Sequence, residues 1–256
     1  MLSENTNKSL LIVSVYAPSE YNEHWYKLQR HFIKKNTTIP FEFKIILNKV
    51  HKHLFNEGDI IIDNFDNIGH PQGLKQMVDY MKVHKHSAYL ILDSDCFPVR
   101  PDWHNILDKQ MKQFSKSVAA PIRYENLDRF PHPCAVYMNE KGLHNPKLNF
   151  DYTRVDNLLG DSINEVGGAM CEMMDEVLPL LRSNRINLHP VAAGIYNHLF
   201  YHHSAGSRGF DFRLLKDYHY CDHWINMENQ KQYGEDVFKS LVSDPDTFID
   251  RLMYGI

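Results

Sequence analysis

Apolar runs of strand length alternate with amphipathic segments of helix length through the first half of this 256-residue chain, and no other feature constrains its fold as tightly. Residues 9–16 form an apolar run that stops at Ala17-Pro18-Ser19, and Trp25, Leu28 and Phe32 follow at helical spacing. Residues 41–47 return to strand character. Residues 59–62 form a short apolar strand closed by Asp63-Asn64. His70-Pro71-Gln72-Gly73 opens a helix in which Leu74, Met77, Val78 and Met81 share one face. After the next strand, Pro101-Asp102 starts a helix with Trp103, Ile106, Leu107, Met111 and Phe114 on one face and Asp102 as its expected N-cap. This rhythm predicts an α/β fold in which a mostly parallel sheet is joined by right-handed crossovers and flanked by helices. Residues 1–256 read as a single domain, since no linker, repeat or low-complexity tract interrupts them.

The strand between those two helices ends in chemistry. Tyr89-Leu90-Ile91-Leu92 runs straight into Asp93-Ser94-Asp95, and the chain turns at Pro98. Two carboxylates brought close together repel unless a proton or a cation lies between them. Divalent cations such as Mg²⁺ take oxygen ligands, and open α/β sheets bind ligands at the C-terminal ends of their strands. Asp and Ser are also ordinary turn residues, so the same letters fit a plain acidic turn.

The second half is less regular. Residues 118–122 and 134–138 read as strands, separated by the rigid break Pro131-His132-Pro133. Residues 139–146 read as a loop, and Ser162 is expected to open a helix running toward Leu181. A short strand is expected within 191–201, followed by His202-His203-Ser204-Ala205-Gly206-Ser207-Arg208. The tail from 235 to 253 reads as helix interrupted near Pro245.

Composition narrows the function classes. At 43% hydrophobic and 12% aromatic residues the chain can bury a sizeable core, which excludes a disordered protein. A net charge of −4 without a Lys/Arg block gives no general footprint for nucleic acid. Cys96, Cys134, Cys171 and Cys221 are widely spaced, which points to free thiols in a reducing compartment. His219, Cys221 and His223 alternate in a pattern unlike the usual zinc spacing. No apolar run has the length of a membrane span. The run after Lys8 fits a first core strand better than a signal peptide, so the expected location is the cytoplasm, with peripheral contact to a membrane through the acceptor as a further reading.

The N-terminal strand, Gly69-His70-Pro71-Gln72-Gly73 before a helix, strand-borne Asp93-Ser94-Asp95, and late His202-His203 with Arg208 together resemble the glycosyltransferases of GT-A fold. The resemblance implies transfer of a sugar from a nucleotide-sugar donor to a glycan or lipid-linked acceptor, with Mn²⁺ or Mg²⁺ as cofactor. It implies metal contact for Asp95, and the metal shell or the donor ribose for Asp93, with Ser94 near the sugar. His202 or His203 would supply a third ligand. Neighbours on an extended segment face opposite ways, so only one should reach the cation, with His202 preferred. Arg208 would hold the pyrophosphate through its planar fork.

Donor-base recognition is expected at the strand tips, from Tyr16, Ala17, Pro18, Asn48 and Asp63, with Asn64 beside them. Gly69 and Gly73 would let the backbone approach the donor. An inverting transfer needs a base, and Glu165 and Asp161 are the candidates. Ser162-Ile163-Asn164-Glu165 equally fits a capping box, in which Glu165 satisfies a helix end. Three rival readings remain: a nucleotidyltransferase, a non-catalytic nucleotide- or glycan-binding module, and a glycosyltransferase acting on modified DNA bases. The first would want a Gly-rich phosphate loop where Ala17-Pro18-Ser19-Glu20 stands.

Overall fold

The computed structural model describes residues 8–124, 127–185, 193–204 and 227–254. Its strands are β1 (Leu10–Tyr16), β2 (Phe41–Asn48), β3 (Ile60–Asn64), β4 (Ala88–Asp93), β5 (Cys96–Pro98), β6 (Val118–Pro121), β7 (Ala135–Met138), β8 (Tyr152–Asp156), β9 (Ser162–Val166), β10 (Val177–Leu180), β11 (Arg182–Arg185), β12 (Gly194–Tyr196) and β13 (Phe200–His202). Its helices are α1 (Asn22–Asn36), α2 (His70–Val83), α3 (Trp103–Gln113), α4 (Glu140–Leu143), α5 (Met227–Ser243) and α6 (Pro245–Tyr254).

Among the described residues, seven strands form the central sheet in the order β10-β6-β7-β4-β1-β2-β3. β1 pairs in parallel with β2 and β4, and β2 with β3, while β7 runs antiparallel to both β4 and β6. β1 is buried along its whole length because both faces of the sheet are covered. Its alternate residues divide the core. Leu10, Ile12 and Tyr16 pack with Trp25, Leu28 and Phe32 of α1. Leu11, Val13 and Val15 pack with Leu74, Met77, Val78 and Met81 of α2. The result is the α/β, mostly parallel, helix-flanked architecture that the GT-A resemblance implies.

A second sheet, all antiparallel, has the order β11-β12-β13-β5. It begins directly after the Asp93-Ser94-Asp95 turn, because β5 leaves the central sheet and pairs with β13. In that register Cys96 lies opposite His202. A residue more than a hundred positions downstream is thereby delivered to the acidic tip of β4.

Several local expectations are corrected. Ser162 begins a strand, not a helix: β9 pairs antiparallel with β8, with Thr153 opposite Glu165. The capping-box reading of Glu165 therefore falls, since no helix starts at Ser162. Helical backbone appears only later, as a 3₁₀ segment over Gly168–Glu176, and β10 follows where the long helix was expected. The loop at 139–146 contains the short helix α4, capped by the Asn139 side chain accepting from Gly142 N. Asp102 precedes α3 but does not cap it: it sits at φ 58° and its carboxylate accepts from the Thr38 hydroxyl instead. Phe114 lies past the end of α3 and is exposed. The tail does break at Pro245, which stands at the first position of α6. Among the described residues no helix is long and apolar enough to cross a membrane.

Candidate metal centre

The tip of β4 is braced from behind. Tyr16 Oη donates to Gln29 Oε1 at 2.6 Å, and Gln29 Nε2 donates to the carbonyls of Asp93 and Cys96, both at 2.7 Å. Gln29 is fully buried, so these bonds fix the Asp-Ser-Asp turn without competition from water. From the other side, His203 N donates to Asp95 O at 3.1 Å. The turn is thus held by one helix and one strand that the sequence separates widely.

On this frame Asp93, Asp95 and His202 each present a ligand atom, all within 4.8 Å of one another. His202 Nε2 stands 3.5 Å from Asp95 Oδ1 and 4.0 Å from Asp93 Oδ2. His202 Nδ1 is 3.3 Å from Ser204 Oγ, a partner that can orient the ring with Nε2 toward the carboxylates. Burial opposes charge on His202, but Cys134 and Asp95 outweigh it and push its pKa up to about 10. Two carboxylates and one imidazole suit a divalent cation, with imidazole favouring Mn²⁺ over Mg²⁺.

His203 does not share this site. Its ring points the other way, with Nδ1 2.7 Å from Tyr201 Oη and Nε2 3.2 Å from the Gly234 carbonyl of α5. Burial drives its pKa down to about 4, so it stays neutral. His202 ends β13 and His203 follows it, and the two neighbouring side chains engage different partners.

The remaining site residues from the sequence divide into groups. Ser94 is buried within the turn. Tyr16 is fully buried, its ring packed edge-on against Phe55 and its hydroxyl spent on Gln29, so it supports the tip from within the core. Asn48 is also buried and accepts from Asn64 Nδ2 at 2.7 Å. Ala17, Pro18 and Asp63 lie at the C-terminal ends of β1 and β3 with partly or fully exposed surfaces. Gly69 adopts φ +85° immediately before α2, a conformation that favours glycine. Gly73 is required by packing: a Cβ there would stand 2.8 Å from Val15 Cγ2. Asp161 closes the β8–β9 turn, where its backbone N donates to Asn157 Oδ1 at 2.9 Å. Glu165 Oε1 lies 3.9 Å from Arg123 Nη2. Arg208, like His219, Cys221 and His223, lies outside the described residues. Cys96, Cys134 and Cys171 are free thiols.

Three side chains near the centre were not singled out from the sequence. His70 Nε2 is 3.0 Å from Asp93 Oδ1, and although burial opposes it, Asp93 raises its pKa. Arg123 makes a close pair with buried Asp128, with Nε and Nη2 both 2.6 Å from Asp128 Oδ2. The His132 ring lies 5.7 Å from that of His202, tilted by 39°. A histidine between Gly69 and Pro71, and another between Pro131 and Pro133, were the available signals, but Gly and Pro there read first as turn punctuation.

No protein-family model matches the chain, and no curated protein matches it in sequence. Similar solved structures include the mannosyltransferase PcManGT from Pyrobaculum calidifontis in complex with GDP-Man and Mn²⁺, at 9% identity and TM-score 0.39 over 52% of this chain and 45% of that one. An active-site mutant of LgtC matches at 9% identity and TM-score 0.40 over 67% of this chain and 72% of that one. The glycosyltransferase GlyE in Streptococcus pneumoniae TIGR4 matches at 12% identity and TM-score 0.40 over 69% of this chain and 45% of that one. The chain spans less than half the length of the mannosyltransferase and of GlyE.

Proposed function

We propose that the chain is a metal-dependent glycosyltransferase that moves a sugar from a nucleotide-sugar donor to a glycan or lipid-linked acceptor, with residues 1–256 acting as one domain. The observation that carries this reading is the convergence of Asp93, Asp95 and His202 at the C-terminal edge of a mostly parallel sheet. That edge is where such sheets take their ligands.

Asp95 and His202 would hold the cation directly, with Asp93 in its shell or on the donor ribose. A divalent cation bound there supplies positive charge to the diphosphate leaving group. The chain's own residues then position and exclude. Gln29 and the His203 backbone fix the turn that carries the carboxylates. Ala17, Pro18, Asp63 and Gly69 are the donor-side candidates at the strand tips, while Tyr16, Asn48 and Gly73 act from behind by packing. Arg208 is kept as a pyrophosphate contact on the sequence resemblance alone. Glu165 is the preferred base for the acceptor hydroxyl: it stands on β9 with its carboxylate 3.9 Å from Arg123 Nη2, which can hold it in place. Asp161 stands behind it, since its turn already engages it.

A thermal-shift screen of UDP- and GDP-hexoses with and without Mn²⁺ tests the reading. A correct donor should raise Tm only with the metal present, by mass action. A donor that stabilises equally without metal, and equally in Asp95→Ala, would remove the cation from the account. Once a donor is known, Glu165→Gln should lower the transfer rate about 10²-fold while leaving donor affinity unchanged. An unchanged rate would strike Glu165 from the mechanism.

A further inference from the structure

The Pro131-His132-Pro133 segment joins β6 to β7 beside the candidate metal centre, and it is clamped on every side. His132 N donates to Pro121 O at 2.7 Å, and Pro131 bridges Ile122. Both prolines are buried. Gly167 presses so closely that a Cβ there would stand 2.5 Å from Pro131 O. Proline fixes its own φ and confines the residue before it to extended backbone, so His132 has little conformational freedom. This is a costly arrangement for a simple connection, and it presents one imidazole.

The tautomer of that imidazole is set by geometry. Cys134 N donates to His132 Nδ1 at 3.2 Å, so Nδ1 offers a lone pair and the ring proton resides on Nε2. The Cys134 side chain also meets this ring, but among the described residues no hydrogen bond is made at Nε2, and the ring is only half-buried. The His132 and His202 rings lie 5.7 Å apart at 39°. A ring with its proton on Nε2 cannot ligate a metal through that atom. Its Nε2 is placed to donate, unlike that of His202, which faces two carboxylates.

We propose that His132 donates its Nε2–H to an oxygen of the diphosphate held at the Asp93–Asp95–His202 centre. The proposal rests on the metal–diphosphate reading above and adds a fourth, non-ligating contact to it. Carboxylates repel an anion, and the cation answers that with charge but with little direction. A fixed N–H beside the cation supplies the direction, as preorganised donors do wherever negative charge collects.

The test titrates wild type, His132→Asn and His132→Gln with Mn²⁺ alone, and then with UDP and with GDP in saturating Mn²⁺, alongside Tm for each protein. Asn keeps an acceptor for Cys134 N but removes the distal donor, whereas Gln reaches the Nε2 position with an N–H. His132→Asn should bind Mn²⁺ within about twofold of wild type, yet bind the preferred nucleoside diphosphate about tenfold more weakly at unchanged Tm. His132→Gln should recover most of that loss. Wild-type nucleotide affinity in His132→Asn would overturn the proposal while leaving the metal reading intact. So would weakened Mn²⁺ binding, which would make His132 a ligand, or a fall in Tm that accounts for the lost nucleotide binding in both variants. Wild type that binds neither nucleotide in the presence of Mn²⁺ would sink the metal–diphosphate reading, and the contact with it.

Discussion

Two charged clusters lie on the same side of this molecule and solve opposite problems. At the tip of β4, Asp93 and Asp95 face two imidazoles, His202 beside both and His70 3.0 Å from Asp93, and Asp93, Asp95 and His202 together can offer three ligand atoms to a cation. Near β9, Arg123 grips Asp128 at 2.6 Å and reaches toward Glu165 at 3.9 Å, so that cluster already holds its own cation. Both are largely buried: the Asp95 side chain is 7% exposed and that of Asp128 is 2%. The difference lies in the positive partner: an imidazole can give up its proton and offer the lone pair to a metal, whereas the Arg123 guanidinium stays charged and completes the fold. Burial pushes the Asp128 carboxyl up by more than Arg123 pulls it down. Desolvation therefore rivals attraction in that pair, and its removal is felt chiefly through whichever partner is left unpaired.

Substitutions should drive the two clusters apart. The largest effect is expected from Asp95→Ala, which should abolish Mn²⁺ binding by calorimetry yet cost less stability than loss of Asp128, because Asp93 remains 4.0 Å from His202 to answer its charge. Asp128→Ala should do the reverse. It strands a buried guanidinium, so stability to denaturant should fall by about 3–5 kcal/mol while Mn²⁺ affinity holds. If each variant lost both properties, the distinction between the clusters would be broken.

The same contrast recurs between adjacent imidazoles, with opposite signs. His202, raised to about 10, adds stability that is complete below pH 6.5 and is lost as pH rises through 10. His203, held down to about 4, stays neutral in the fold while its unfolded counterpart protonates. Between pH 6.5 and 4 the unfolded state then binds more protons, so His203 removes about 3 kcal/mol of stability as pH falls. Denaturation curves of His203→Gln across that window should have a shallower pH dependence than wild type, and identical slopes would contradict the assignment. Smallest is Gly73→Ala, whose Cβ would stand 2.8 Å from Val15 Cγ2 and 3.1 Å from Asn48 Nδ2. It should cost about 1–3 kcal/mol by overpacking and leave Mn²⁺ affinity untouched. A loss of metal or nucleotide binding at constant Tm would return Gly73 to the ligand side.

The half of the fold built from crossovers was legible because each element announces itself locally. The apolar run of β1, the Leu74–Met77–Val78–Met81 stripe of α2 and the strand leading into Asp93 need no knowledge of their partners. The other half depends on pairing across distance. Ser162-Ile163-Asn164-Glu165 carries the letters of a helix start, yet its partner strand ten residues upstream decides the matter. Of the candidate centre, both carboxylates and the preferred histidine could be named, and the structure brings these three together, with His203 turned away from them. His70, Arg123 and His132 could not, since each owes its place to tertiary contacts: Asp93 for His70, Asp128 for Arg123, and the Gly167–Pro131 approach for His132.

Anomalous diffraction from crystals grown with Mn²⁺ tests the central claim most directly. The account predicts a peak about 2.0–2.6 Å from a carboxylate oxygen of Asp95 and from His202 Nε2. A saturated crystal with no peak there, and with His202 still hydrogen-bonded to Asp95, would contradict it.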